Sequence, residues 1–283
     1  NLSDAFIVLL FSLFCWKVYW ENQKKIKDKK TYRLRLTKSE HDKVKQSRQK
    51  ENEIILVISD LHIPYHHQDS IRFLKAIKEY YKPTLVWNVG DEADFHGLSY
   101  HEKEQELDTQ HNETLKAREV FKELEEIFPE MTLVHSNHGS MLYRRSKTHG
   151  IPNYMLKDYN EVIGVGTGWK WYADYKYTMN NGQTIFMTHG MKKNGLALAK
   201  EMGMCVLQGH YHTCFEIGYT SNPMNLNWSM MVGCLIDDNS RAYAYNKVNS
   251  ARVILGCGII INGQPKLLPM VLEKGGRWNG KIN

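Results

Sequence analysis

Five short runs of apolar and β-branched residues each stop at a polar side chain, and this repeated ending limits the fold more than any other feature of the chain. Ile54 to Ser59 (IILVIS) stops at Asp60, Thr84 to Val89 (TLVWNV) at Gly90 and Asp91, and Met131 to Ser136 (MTLVHS) at Asn137. Thr184 to Thr188 (TIFMT) stops at His189, and Met204 to Gln208 (MCVLQ) at Gly209 and His210. Apolar runs without alternation are expected of strands buried on both faces, whose C-terminal ends then deliver polar side chains to one edge. Helical spacing lies between them. Ile71, Phe73, Leu74 and Ile77 predict one helix, and Leu115, Val120, Phe121, Leu124 and Ile127 a second that ends before Pro129. Strands alternating with helices indicate an α/β layered domain.

The second half has a different pattern. Trp169 to Met179, the turn Asn180-Asn181-Gly182 and Gln183 to Thr188 predict a hairpin, and residues 213–220, 226–234 and 251–261 predict further strands. The expected fold class is therefore α/β, with two packed mixed β-sheets flanked by helices. Alternating aromatics at Trp169, Trp171, Tyr172, Tyr175 and Tyr177 fit a packed sheet face, or a surface on which bases could stack. The acidic helix from Glu113 to Glu130 is expected to be a solvated face.

Composition matters chiefly through its distribution. The 283 residues carry a net charge of +6. Residues 1–50 hold 13 Lys and Arg against 5 Asp and Glu, which leaves 24 against 26 in residues 51–283. The basicity belongs to the N-terminal segment. An apolar content of 42% excludes a disordered or collagen-like chain. Five cysteines, an odd number with no C-x-x-C, exclude a disulfide framework or zinc ribbon and point to a reducing, cytoplasmic compartment.

Three segments follow: an apolar helix over 1–20, a basic connector over 21–52 and a body over 53–283. The apolar run Ala5 to Trp16 continues past Lys17 to Trp20. Sixteen helical residues span about 24 Å, short of the ~30 Å hydrocarbon core unless Lys17 snorkels. Trp16, Tyr19 and Trp20 would form an interfacial belt, and Lys24, Lys25, Lys27, Lys29 and Lys30 would stay on the cytoplasmic side. The run is expected to attach the chain to the inner face of a membrane or to join copies into a homo-oligomer. A secretory signal fits less well, because no basic region precedes the run and no small-residue cleavage site follows it. Residues 1–50 as a whole could meet an anionic membrane surface, and the same charges would serve nucleic acid.

The strand ends supply a chemical set. Asp60 and His62 stand in SDLH, Asp91 in GDEAD, Asn137 and His138 in SNHG, His189 in THG, and His210 and His212 in GHYH. Carboxylate, imidazole and amide oxygen together suit a pair of borderline divalent cations, one carboxylate bridging them. Each piece alone is weak, but five in order, each closing an apolar run, are specific.

In these motifs the chain resembles the calcineurin-like metallophosphoesterase superfamily, whose ordered signature is D-x-H, G-D-x-x-D, G-N-H-D/E, H and G-H-x-H. The resemblance spans residue 54 to about 215 and implies a four-layer sandwich. It implies Asp60, His62 and His212 as ligands of a first metal, Asn137, His189 and His210 as ligands of a second, and Asp91 as the bridge. It implies His138 as the acid that protonates the leaving group and Asp94 as the carboxylate that orients it. Two residues depart from the pattern: Ser136 replaces a glycine, and Gly139 replaces an acid, which leaves Asp94 as the group expected to hold His138.

The wording GDEADFHGLSYH, SNHGSMLYRR and GHYH is similar to phage-encoded members, some of them DNA nucleases, and this implies DNA as substrate in a host cytoplasm. The expected activity is phosphodiester hydrolysis by a metal-activated hydroxide, with two divalent ions. Mn²⁺ is expected by resemblance, Fe, Zn, Ni and Mg being alternatives that these ligands do not exclude. Tyr65, His66, Arg144 and Arg145 are candidate substrate contacts, the arginines because a guanidinium can grip phosphate bidentately. His67, His96 and His101 are further candidates for the groove. A phosphomonoesterase acting on a phosphoprotein or nucleotide is the first alternative, and a membrane-attached interaction protein with a vestigial site is the second.

Overall fold

The run IILVI becomes β1 (Ile54–Ile58), and its two faces explain why it does not alternate. Ile55 and Val57 pack into one apolar layer with Trp87, Met187, Leu207 and Met230. Leu56 and Ile58 pack into another with Phe73, Leu74, Phe121 and Leu124. Both faces are covered, so both must be apolar.

In this computed structural model residues 52–99, 107–240 and 252–282 are described, together with Lys17, Glu21, Lys38 and Ser39. The chain divides into two units, residues 1–50 and 51–283. The apolar run over 1–20 and nearly all of the basic connector, like His101, lie outside the described residues. Among the described residues no helix is long and apolar enough to cross a membrane.

The body is built on two mixed sheets. In the first, β1 is followed by parallel β2 (Leu85–Asn88), β3 (Met131–Val134) and β4 (Trp169–Tyr172), while β10 (Gly256–Ile261) and β11 (Gln264–Pro269) extend it antiparallel on the other side of β1. The second has the order β5 (Tyr175–Thr178), β6 (Thr184–Met187), β7 (Cys205–Gln208), β9 (Leu226–Val232), β8 (Phe215–Ser221). Its central three strands are parallel and its two edges antiparallel. Helices α1 (Ser70–Tyr81) and α2 (Gln110–Ile127) cover the outer face of the first sheet, where Phe73, Ile77, Phe121 and Leu124 are buried. Each such side chain contributes roughly 1.5 to 3 kcal/mol by leaving water. Short helices α3 (Met141–Thr148) and α4 (Tyr159–Ile163) follow β3, and α5 (Gly195–Met202) covers the second sheet through Leu198 and Ala199. The expected α/β class of two packed sheets with flanking helices is what the chain forms.

Three elements differ from the sequence reading. Trp169 to Met179 is not one hairpin arm: it breaks at Ala173 and Asp174, so that β4 closes the first sheet and β5 opens the second. The hairpin through Asn180-Asn181-Gly182 is made by β5 and β6 alone. Helix α5 has both its boundary signals in sequence, Asn194 accepting from the Ala197 N–H at 2.9 Å at its start and Gly203 at φ +64° at its end. The last hairpin, β10 to β11, turns at Asn262-Gly263, both with positive φ. The aromatic stripe packs: Trp169 is buried, and Tyr175 and Tyr177 meet the Trp87 ring edge-on at 5.8 and 5.3 Å.

Candidate metal centre

The chain leaves β1, β2 and β7 through sharp bends with a left-handed backbone. Asp60, His62, Asp91 and His210 all take φ between 50° and 66°. For residues with a β-carbon this costs on the order of 1 to 3 kcal/mol each, and the surrounding main chain holds it in place. The Asp60 N–H donates to the Gly90 carbonyl at 3.0 Å, and the His62 N–H to the Asp91 carbonyl at 2.9 Å. Gly209 has to be glycine for a different reason: a β-carbon there would stand 1.9 Å from Ser59 Oγ and 2.4 Å from Asp60 Oδ2.

The strand ends together bring all seven expected ligands to one place. His189 is the clearest case. Its Nδ1 donates to the Val89 carbonyl at 2.8 Å, which leaves a lone pair on Nε2. That lone pair faces Asn137 Oδ1 at 2.8 Å, Asp91 Oδ2 at 3.1 Å and His210 Nδ1 at 3.1 Å. The second set repeats the arrangement. His62 donates from Nδ1 to Asp94 Oδ1 at 2.8 Å, and its Nε2 lone pair faces His212 Nε2 at 3.3 Å, Asp91 Oδ2 at 3.7 Å and Asp60 Oδ1 at 4.0 Å. His212 Nε2 lies 3.1 Å from Asp60 Oδ1. Asp60, His62 and His212 form one group of donor atoms, Asp91, His189 and His210 another, and His62, Asp91 and His138 a third between them. Donor atoms converging in a buried pocket suit a cation between them. Ligands at about 2.0 to 2.2 Å from an ion stand roughly 3 to 3.6 Å apart, and the observed edges fall in or close to that range. The residues present fit two divalent cations, with Asp91 common to both sets.

Electrostatics agree. Burial opposes the charged form of His189, but the adjacent Asp91 carboxylate outweighs it and lifts the imidazole to about 9, so positive charge is favoured at that point. Asp91 itself is pushed up by burial and drawn down further by His189, His138 and His62, ending well below the usual carboxylate range. His62 and His210 are both lowered, in each case chiefly by burial. An imidazole poised neutral is a metal ligand.

No family model and no curated protein matches this chain. Among solved structures it is similar to Vps29 from Cryptosporidium parvum, at 15% identity over 82% of this chain and 95% of that one, with a TM-score of 0.43. It is similar to YfcE, a phosphoesterase from E. coli, at 11% identity over 80% of this chain and 97% of that one, TM-score 0.41. It is also similar to the nuclease MPE from Pseudomonas putida, at 11% identity over 76% of this chain and 86% of that one, TM-score 0.33.

Around the ligands the structure redistributes several expected roles. Asp94 was expected to hold His138 with its carboxylate. That carboxylate instead bonds His62 and lies 3.7 Å from His138 Nδ1, and it is the Asp94 main-chain carbonyl that accepts from His138 Nδ1. The left-handed turn at Phe95 ends the GDEAD loop and leaves that carbonyl aimed at the ring. His138 also donates its main-chain N–H to Asp91 Oδ1 at 3.1 Å. Burial lowers its pKa, and the Asp91 and Asp94 carboxylates more than offset this, so it lies above the ordinary value. Ser136 does more than adjust the strand end, because its Oγ accepts from the Gly139 N–H at 3.0 Å and closes the SNHG turn. Beside Gly139, Tyr159 donates its hydroxyl to the buried Glu92, a contact that no sequence motif announced.

Of the four candidate substrate contacts, the two arginines donate to main-chain carbonyls, whereas the Tyr65 hydroxyl and His66 Nδ1 are buried without a hydrogen-bond partner among the described residues. Arg145 donates to the Leu98 carbonyl at 2.8 Å and to that of Ser99, and Arg144 to the Asn137 carbonyl at 2.7 Å. Both guanidinium groups thus hold the loops that carry the site. Tyr65 and His66 are half-buried in the loop after His62, and burial pushes the first up and the second down to about 4. That loop is pinned by the chain's end: Arg277 forks onto Asp69 with two bonds of 2.7 Å, and His67 Nε2 reaches the Gly276 carbonyl at 3.0 Å.

Proposed function

We propose that the chain is a binuclear metal-dependent phosphoesterase whose substrate is a phosphodiester in DNA. The observation that carries the reading is the convergence of seven donor side chains at one edge, with Asp91 Oδ2 lying 3.7 Å from His62 Nε2 and 3.1 Å from His189 Nε2. Two divalent ions held there supply Lewis acidity toward phosphate oxygens and a nucleophile at neutral pH. The chain's own residues do the rest. Val89 and Asp94 fix the tautomers of His189 and His62, so each presents Nε2 to the centre. His138, with Nδ1 committed to the Asp94 carbonyl, keeps Nε2 for giving a proton to the leaving oxygen.

The resemblance to nuclease members of the superfamily supports DNA as the source of the diester. The test is a side-by-side assay of Mn²⁺-loaded protein on plasmid DNA and on p-nitrophenyl phosphate, with Asp91→Asn as the control for contaminating nucleases. Plasmid cleavage that the variant lacks supports the reading. Monoester turnover with intact plasmid overturns the DNA assignment and leaves a phosphomonoesterase.

A further inference from the structure

A cleft of about 400 Å³ opens beside the second donor set, bounded by Asn137, His189 and His210 at one end and by His135, Thr188 and Met191 around the rest. No lysine, arginine, aspartate or glutamate lines it. It is therefore poorly suited to a second phosphate, a sugar phosphate chain or an acidic peptide, each of which needs a counter-charge. Its walls suit a flat, uncharged ring.

Two of those walls are built for one. His135 is exposed, and its ring lies nearly parallel to Trp171, with 24° between planes and 6.0 Å between centroids. Trp171 cannot swing away, because its indole N–H bonds Asn160 Oδ1 and Tyr159 packs edge-on against it at 4.7 Å. The His135 N–H continues the sheet ladder to the Tyr172 carbonyl at 2.8 Å. A fixed indole thus lies parallel behind the exposed His135 ring, and limiting that ring's freedom lowers the ordering cost of stacking on it. Met191 adds a soft apolar lip: its side chain is 57% exposed while its N–H is anchored on Gln208 Oε1 at 2.8 Å.

The cleft also has a side. Its metal-site wall is the second donor set, whereas His138 packs against His62 of the first, with ring centroids 4.6 Å apart. With His138 serving the leaving oxygen, a ring in the cleft belongs to the part of the substrate that stays on the phosphate. We propose that this cleft is a nucleobase seat for the retained nucleoside, with His135 as its stacking wall and Met191 as its lip. The inference rests on the phosphodiesterase reading and names the portion of the diester that is recognised.

The experiment compares three diesters with one leaving group: thymidine 5′-(p-nitrophenyl phosphate), its 3′ isomer, and methyl p-nitrophenyl phosphate. Each is hydrolysed by Mn²⁺-loaded wild type, His135→Ala, His135→Phe and Met191→Ala, all checked for native circular dichroism. The expected result is a KM for one thymidine isomer about tenfold below that of the methyl diester, the usual scale of base stacking on an aromatic face. His135→Ala should narrow that ratio to within about twofold, His135→Phe should restore it, and Met191→Ala should reduce it in part. Equal KM values in wild type, or a preference that survives His135→Ala, overturn the seat while leaving the phosphodiesterase. Failure of wild type to hydrolyse any of the three removes the phosphodiesterase reading, and the seat with it.

Discussion

His189 shows how little freedom a ligand has in this centre. One ring nitrogen is spent on the Val89 carbonyl, so the other has no choice but to face Asn137, Asp91 and His210. His138 is held by the same device, with the Asp94 carbonyl in place of Val89. If His138 is the proton donor, His138→Gln should lose about 100-fold or more in kcat on a diester with a nucleoside leaving group. With p-nitrophenolate, which leaves without help, the loss should stay under about tenfold, and metal content should be unchanged. Equal losses on both substrates, measured in steady state, would show that His138 is not the acid. At this scale the donor side chains that come together were legible, because residue type and order at strand ends are sequence properties. Their partners were not. Val89 holds His189 and Asp94 holds His138 through main-chain carbonyl groups, which every residue has, and the left-handed φ at Phe95 that aims the second leaves no mark in residue type.

At the scale of elements, α2 is the instructive case. Its spacing predicted a helix, yet Leu115 is 48% exposed and the buried stripe runs Glu113, Ala117, Phe121, Leu124. Glu113 is therefore no part of a solvated acidic face. It is 1% exposed and accepts from the N–H groups of His96 and Gly97 at 3.1 and 3.3 Å, fixing the turn that follows GDEAD. Burial, and next the Asp94 carboxylate, push Glu113 up to about 7. A carboxyl raised in the folded state favours folding while protonated, so its contribution is present below about pH 4 and is lost as pH rises through about 7. Wild type should therefore lose stability relative to Glu113→Gln between pH 5 and pH 8 in urea melts. A difference that is flat or opposite in sign would show that Glu113 is ionised throughout. Helix α5 and the β10–β11 hairpin were legible in principle, through Asn194 with Gly203 and through Asn262-Gly263. The break at Ala173 and Asp174 was not, since passing from one sheet to another depends on what packs on either side, and no local signal encodes that.

Across the whole molecule, function follows from the way two sheets share a layer. Ile55, Val57, Trp87 and Val89 of the first sheet pack on Met187, Leu207 and Met230 of the second, so strand ends from both sheets meet at one edge. The first sheet brings Asp60, His62, Asp91, Asn137 and His138 to that edge, and the second brings His189, His210 and His212. Each of the two proposed ligand sets draws on both sheets, which is why five separate motifs have to be read together to see the site. The claim on which this depends is that the shared edge binds two cations through Asp91. Anomalous X-ray scattering at the manganese edge, from crystals of the Mn²⁺-loaded chain, tests it most directly. The account predicts two peaks, one against Asp60, His62 and His212, the other against Asn137, His189 and His210, both in contact with Asp91, and the loss of at least one in Asp91→Asn. A single peak, peaks away from these donors, or two peaks that persist unchanged in Asp91→Asn would contradict it.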